Sequence, residues 1–549
     1  MTTACTDWAA RLLAGRSIIP APIYQGEADR ALEIFKGLRV VDVPGKPTFG
    51  ECAAPWVFDF VAVVFGGCDP ETGKQAIREY GLLVSKKNTK STLAAGIMLT
   101  ALILCWREDE ELLILAPTIE VAQASFKPAA SMVRSDPELS DMFHIQEHIR
   151  TISNRVTRNS LKVVAAEADT VSGKKAGRIL VDELWLFGKQ AKAEAMFMEA
   201  TGGQVSREEG WTIYLTTQSD EPPAGVFRDK LNYWRDVRDG KINDPKTLGV
   251  LYEFPPEMIE SKAYLKTENF RITNPNIGLS VSQEWLEDNL KKNQAKTDGA
   301  FQQFLAKHLN VEIGLNLRTD RWAGADRWQA AADKTITLDS LLERCEVVCI
   351  GIDGGGLDDL LGFAVAGRER DTGKWLLWTR AWAHQSVFER RKSEASKLRD
   401  FERDGDLIVV EHVGQDAEQV AEICRAAYDS GLLDRIGCDQ AGIGAIAQQI
   451  VDADVPQELL IGISQGWKLH GAIQTTERKL AEGVLWHAGQ PLMDWCVGNA
   501  RVEPKGNAIM ITKQIAGRGK IDPLMASFNA ITLISLNPAA AMTPALIVL

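Results

Sequence analysis

Arg178-Ile179-Leu180-Val181-Asp182-Glu183 is an apolar run closed by two acids. Buried as a strand in a parallel sheet, such a run leaves Asp182 at its C-terminal tip. A carboxylate there can hold the water shell of Mg²⁺, and Glu183 beside it can orient and deprotonate an attacking water. Acid pairs also close strands merely as helix caps, so the reading depends on a phosphate cradle upstream. Val84-Ser85-Lys86-Lys87-Asn88-Thr89-Lys90-Ser91-Thr92 is the candidate. It lies between a strand-like run and a helical one, where backbone N–H groups can curl around phosphate. Lys90 reaches for the outer phosphates and the Ser91 hydroxyl for Mg²⁺. Val84 and Thr89 stand where the standard pattern has glycine.

Working outward, strands are expected at 81–84, 111–116, 161–165, 178–181 and 211–215, with helices at 91–106 and 119–133. Alternation of this kind indicates a parallel α/β sheet. Ile213-Tyr214-Leu215-Thr216-Thr217-Gln218 is a further strand that ends in polar residues. Beyond 220 the chain becomes more charged and richer in Pro and Asn, with a helical stretch at 282–292. A new α/β pattern starts at 346, with strands at 347–352, 361–367, 375–383, 407–411 and 435–438 and a helix at 416–428. Its order, with Asp353 ending the first strand, matches a ribonuclease H-like fold. The expected division is an N-terminal arm (1–55), a P-loop ATPase core (56–220), a lid or linker subdomain (221–340) and a ribonuclease H-like domain with a C-terminal tail (341–549).

The 549 residues are too many for one core. Hydrophobic residues make up 45% and charged residues 25%, so disorder is not the default. A net charge of -12 argues against a surface coated for DNA, and nucleic-acid binding has to be argued from sites. Nine cysteines without a C-x-x-C pair read as reduced thiols rather than a zinc site. Met1–Arg16 holds no long apolar stretch of the secretory kind, and Pro538 and Pro544 break the apolar C-terminal run, so no membrane span is expected.

The segments SKKNTKSTLAAG, LILAPTIEVAQASF, GRILVDELWLF, IYLTTQSDEPPAGVF, NPNIG (Asn274–Gly278), GIDGGGLDDLLGFAVAG, IGCDQAGIGAIAQQI, LWHAGQPLMDWCVGNA and KIDPLMASFNA together resemble the large terminase subunits of tailed bacteriophages. They run in family order over nearly the whole chain. The resemblance implies an ATPase that pumps double-stranded DNA into a procapsid and a nuclease that cuts concatemers. It implies a small terminase subunit, a portal protein and further copies of the chain in a ring as partners, all acting transiently in the host cytoplasm. By position, Lys90 and Ser91 look like the P-loop lysine and Mg²⁺ ligand, with Asn88, Thr89 and Thr92 completing the loop. Asp182 looks like the second Mg²⁺ partner, Glu183 like the catalytic glutamate, and Thr216 and Thr217 like the coupling motif. Lys86 and Lys87 match basic residues that the family often places early in this loop. No arginine stands beside Gly173, where related motors place a finger that completes a neighbour's site. Lys174, Lys175, Arg178 and the Arg150–Arg158 group remain open alternatives.

Three acids carry the expected second activity. Asp353 and Asp439 end strands and Asp522 opens a probable helix before Pro523. Phosphodiester hydrolysis uses two divalent cations, Mg²⁺ or Mn²⁺, about 4 Å apart, and carboxylates converging from separate elements can hold them. Asp359 would add an outer ligand. Glu411, also at a strand end, is the rival to Asp439. Arg518 and Lys520 would suit a DNA phosphate contact, and Lys291, Lys292 and Lys296 a solvated helix face or a second contact. His487 and Asn499 carry no assigned chemistry. Two rival functions remain. A helicase or restriction-type ATPase–nuclease would need a second RecA-like motif set, and none follows residue 220. A non-catalytic DNA- or portal-docking protein with a decayed ATPase would account for Thr89 and the acidic charge.

Overall fold

A computed structural model of the chain describes residues 2–165, 176–190, 192–295, 300–313, 322–392, 394–439, 444–506, 508–512 and 519–540. The chain divides into two compact units, Met1–Ile313 and Gly314–Leu549.

The first unit is built on an eight-stranded sheet. Its strands are β1 (Glu79–Leu83), β2 (Glu111–Ala116), β3 (Phe143–Gln146), β4 (Thr151–Asn154), β5 (Ser160–Ala165), β6 (Arg178–Val181), β7 (Trp211–Thr216) and β8 (Thr247–Leu251), in spatial order β3-β4-β5-β2-β6-β7-β1-β8. From β5 to β8 all pairings are parallel, and β3 and β4 add an antiparallel hairpin at one edge. Burial on both faces explains the unbroken apolar runs of β2 and β6. The helices Lys90–Ile103 and Ile119–Arg134 follow β1 and β2.

Two segments of this unit carry more regular structure than their sequence suggests. Residues 1–55, expected as a loosely ordered arm with one short helix, form helices at Trp8–Leu13, Gln25–Gly37 and Phe49–Cys52. Ala28, Ala31 and Phe35 of the second are fully buried, and Phe35 stacks on Phe49. Two of these core residues are small alanines, so the apolar stripe is faint in sequence. The early part of 221–340, expected as a lid or linker, extends the sheet of this unit. The Gly225–Arg238 helix leads into β8, which pairs with β1 at the edge of the eight-stranded sheet.

The second unit holds a seven-stranded sheet. Its strands are β9 (Cys345–Gly354), β10 (Leu361–Glu369), β11 (Trp375–His384), β12 (Leu407–Val410), β13 (Leu433–Asp439), β14 (Leu460–Ile463) and β15 (Leu485–His487). The order is β12-β11-β10-β9-β13-β14, with β15 pairing β11. β9, β10 and β11 form an antiparallel meander, β12 joins β11 in parallel, and β13 and β14 continue from β9 in parallel. This is the ribonuclease H-like arrangement expected from the order of strands. A two-stranded ribbon, β16 (Arg501–Lys505) with β17 (Ala508–Thr512), stands apart.

The Asp522–Ile534 helix lies on β9 and β10 because two glycines make room for it. A Cβ on Gly351 would fall 1.9 Å from the Ala526 carbonyl oxygen, and one on Gly362 would fall 2.3 Å from the Asp522 carbonyl carbon. Any side chain at either place would push the helix off the sheet, and Asp522 with it. The unit boundary after Ile313 lies upstream of the expected 340. Trp322 and Trp328 are fully buried in the second unit's core, where Trp322 packs edge-on against Phe528 and Trp328 stacks on His487. Polar residues around these tryptophans hide the start of the unit from a reading of composition.

Candidate active sites

Loop 84–89 joins β1 to the Lys90–Ile103 helix at the sheet's C-terminal edge. Thr89 precedes the helix in the left-handed conformation (φ 60°, ψ 23°), and Lys87 has φ 73°. A third non-glycine residue with positive φ, Glu183 at 54°, follows the tip of β6. Strain of this kind persists only where surrounding contacts over-determine the backbone. Lys90 is buried and folds back so that Nζ donates to the Val84 carbonyl at 3.4 Å. Its burial pulls the ammonium's pKa down, while Glu183 and Asp182 pull it up.

Asp182 is fully buried. One carboxylate oxygen accepts the Ser91 hydroxyl at 3.2 Å and the Ser125 hydroxyl at 2.7 Å, and the other accepts the Glu183 N–H at 3.0 Å. Burial, reinforced by the charge of Glu183, pushes its pKa up to about 6. Glu183 accepts the Trp185 indole N–H. At the end of β7, the Thr216 hydroxyl accepts the Trp185 backbone N–H at 3.1 Å and donates to the Thr217 carbonyl. Lys86 and Lys87 are exposed, Asn88 is buried, and Thr92 is half-buried in the first turn.

Two contributors escape a reading of the sequence. Ser125 lies on the helix after β2 and was legible only as part of LILAPTIEVAQASF. Lys307, on the Ala300–Leu309 helix, lies over the Trp185 ring and donates to the Gln218 carbonyl at 3.0 Å. Burial pushes its ammonium down to about 7, against the pull of Asp220 and Glu183. Nothing local marks it, because it is one lysine on an amphipathic helix. Among the arginine-finger candidates, Arg178 donates to the Ala101 carbonyl and Arg158 pairs with Asp109. Arg150 donates to the Val163 carbonyl beside the β3–β4 hairpin. Gly173, Lys174 and Lys175 lie outside the described residues, as do Lys296 and Arg518.

In the second unit, Cys438 pairs with Ile352 in parallel register, so Asp353 and Asp439 leave adjacent strands side by side. Asp522 opens its helix close to them, and a Cβ on Gly354 would lie 3.2 Å from Asp522 Oδ1. The same helix is anchored by Asn529, which donates to the Ile352 carbonyl at 2.9 Å and accepts from Gln465 at 2.9 Å. Asn499 holds the approach to Asp522 by donating to the Lys520 carbonyl at 3.0 Å. Glu411 is exposed beyond β12, and β10 and β11 separate that strand from β9.

The acids supply hard oxygen donors, the type that suits Mg²⁺ and Mn²⁺. Among the described residues, no three His, Cys, Asp or Glu side chains stand close enough to hold one ion. Lys520, expected as a DNA phosphate contact, is buried and ion-paired with Asp359, and also donates to the Asp358 carbonyl. Its stem runs inward beside the helix start rather than out to solvent.

A strand-to-helix loop facing a strand-end acid pair is the arrangement that a nucleotide hydrolase uses, and the second sheet has the ribonuclease H-like order. Two family models agree. "Terminase large subunit, ATPase domain" matches residues 55–236, and "Terminase large subunit, endonuclease domain" matches residues 251–537. The chain belongs to the terminase large subunit family and is the ATPase and endonuclease of a DNA-packaging motor. The large terminase subunit of Enterobacteria phage HK97 is 24% identical over 483 residues, which cover 85% of this chain and 86% of that protein. Protein YmfN of Escherichia coli (strain K12) is 21% identical over 360 residues, covering 62% and 74%. The crystal structure of the HK97 large terminase aligns over 92% of this chain and 99% of that one, at 20% identity and a TM-score of 0.47. ATPase and nuclease domains of this family generally use Mg²⁺. Among the described residues, no helix is long and apolar enough to cross a membrane.

Proposed function

We propose that ATP binds in loop 84–92 and that its hydrolysis at Glu183 drives translocation of double-stranded DNA into a procapsid. The observation that carries this reading is the hydrogen bond from Ser91 to Asp182, which joins the loop's hydroxyl to the strand-end acid. Lys90 would hold the outer phosphates, with Lys86, Lys87, Asn88, Thr89 and Thr92 shaping the cradle. Ser91 and Asp182 would hold Mg²⁺, which when bound supplies charge neutralisation at the phosphates. Glu183, half-exposed at the tip of β6, orients water and takes its proton. Thr216 couples the site to the end of β7 through the Trp185 backbone, and Thr217 continues that path.

In the second unit Asp353, Asp439 and Asp522 would hold two divalent ions, Mg²⁺ or Mn²⁺, which polarise the scissile phosphate and activate water when bound. Asp359 contributes from outside through its pairing with Lys520. The partners proposed from family membership are the small terminase subunit, the portal protein and further copies of this chain in a ring on the procapsid, in the host cytoplasm.

The test is separation of the two activities in the full chain. Lys90→Ala should abolish ATP binding and packaging, while cleavage of naked DNA in Mn²⁺ stays within about twofold of wild type. Equal loss of both activities in a folded variant would mean one shared site.

A further inference from the structure

We propose that Asn276 is a positioning residue of the ATPase, the anchor of a strap that holds Thr89 and Asn88 in the conformation the phosphate cradle requires. The inference rests on loop 84–92 being that cradle.

The cradle needs a left-handed residue just before the helix, a place that glycine fills without cost. Here it is Thr89, at φ 60°. A side chain in that conformation brings Cβ too close to the backbone carbonyl, so something must hold it. The Thr89 hydroxyl donates to the Asn88 carbonyl at 2.8 Å and accepts from Asn276 Nδ2 at 3.1 Å. The fully buried Asn88 side chain accepts the Asn276 backbone N–H at 3.0 Å and donates to Asn274 Oδ1 at 2.9 Å. Asn276 is itself fixed, because its Oδ1 accepts the Trp56 indole N–H at 2.7 Å.

The strap extends along the loop. Ser280 donates to the Lys87 carbonyl at 2.7 Å, Ser85 N–H to the Thr273 carbonyl at 3.3 Å, and Lys86 N–H to the Lys307 carbonyl at 2.7 Å. Each residue from Ser85 to Thr89 is thus bonded to the segment 273–307, some 190 residues downstream for Asn88 and Thr89. Buried amides bonded at both ends make a stiff link, because breaking one leaves a polar group unsatisfied. The side chain that makes Thr89 unfavourable there is also the one that the strap grips.

A double-mutant cycle on the full-length protein tests this, read as KM for ATP and kcat in steady-state hydrolysis. Asn276→Ala should raise KM roughly tenfold and change kcat by less than about threefold. On a Thr89→Gly background, where the left-handed conformation is free, the same Asn276→Ala change should raise KM less than about threefold. Thr89→Ala keeps the strain but removes the grip, so it should reproduce the Asn276→Ala rise, and it serves if that variant fails to fold. An equal KM rise on both backgrounds, or none in either Asn276→Ala or Thr89→Ala, overturns the proposal. A Lys90→Ala protein that binds ATP like wild type would instead overturn the cradle reading on which it rests.

Discussion

Asp353, one residue before the end of β9, and Asp439, at the end of β13, lie on neighbouring parallel strands, with Ile352 and Cys438 paired just before them. Two carboxylates leaving one sheet edge together repel until a cation joins them. Mn²⁺ binding only to the folded site should therefore raise the stability of the full chain's nuclease unit, by about 2.7 kcal/mol at a hundredfold excess over Kd. Asp353→Asn, Asp439→Asn and Asp522→Asn should each shrink that rise in melting temperature and abolish cleavage. Glu411→Gln, beyond β12 with two strands between it and β9, should leave both intact. If Glu411→Gln loses the Mn²⁺ response and Asp439→Asn keeps it, the middle acid is Glu411.

Glu183→Gln removes the group that takes water's proton but keeps its size and its contact with Trp185. ATP binding, measured by nucleotide titration, should stay within about threefold of wild type. Turnover should fall by roughly two orders of magnitude or more. Near-normal turnover would exclude Glu183 as the base.

Lys307 gives a pH signature. Its ammonium falls from 10.5 in the unfolded chain to about 7 in the folded one, chiefly by burial. The unfolded state therefore binds more protons across that window, and this group's contribution to stability rises with pH from 7 to 10.5. Below pH 7 the buried charge is a full liability. Lys307→Met should raise the melting temperature of the ATPase unit at pH 7, and the gain should shrink as pH approaches 10. Asp220, Glu183, Lys189 and Lys90 also act on this lysine, so a gain that stays constant with pH would mean its charge is fully compensated in place.

Trp328 fills the second unit's core, stacks on His487 at 4.0 Å and donates to Asp494 at 2.9 Å. Trp328→Ala in the full chain should cost the nuclease unit about 3–5 kcal/mol, the range for a buried aromatic cut to alanine. Limited proteolysis at rising temperature measures it. A loss below about 1 kcal/mol would mean that 322–340 is a dispensable linker.

Much of the fold was legible because buried parallel strands need unbroken apolar runs, and RILVDE, ELLILA and WTIYLT supply them. The first of these runs also points to its acids, Asp182 and Glu183, at the strand tip. The N-terminal helices were not legible, since Ala28 and Ala31 bury little surface apiece and leave a weak period. Lys520 was misread for a related reason. A lysine between glycine and isoleucine looks solvent-facing until Asp359 is found beside it.

The sequence by itself determined two α/β sheets, the strand tips that carry acids, and a strand-to-helix loop whose threonine stands where glycine is usual. Those are local properties, set by periodicity and by the side chains within a few residues. Tertiary structure alone decided which distant segments meet. It set Asn276 against Thr89, Lys307 over Trp185, and Asp439 rather than Glu411 beside Asp353. Strand order and helix docking follow from burying the whole core at once, and no local pattern encodes which strand becomes the neighbour of which.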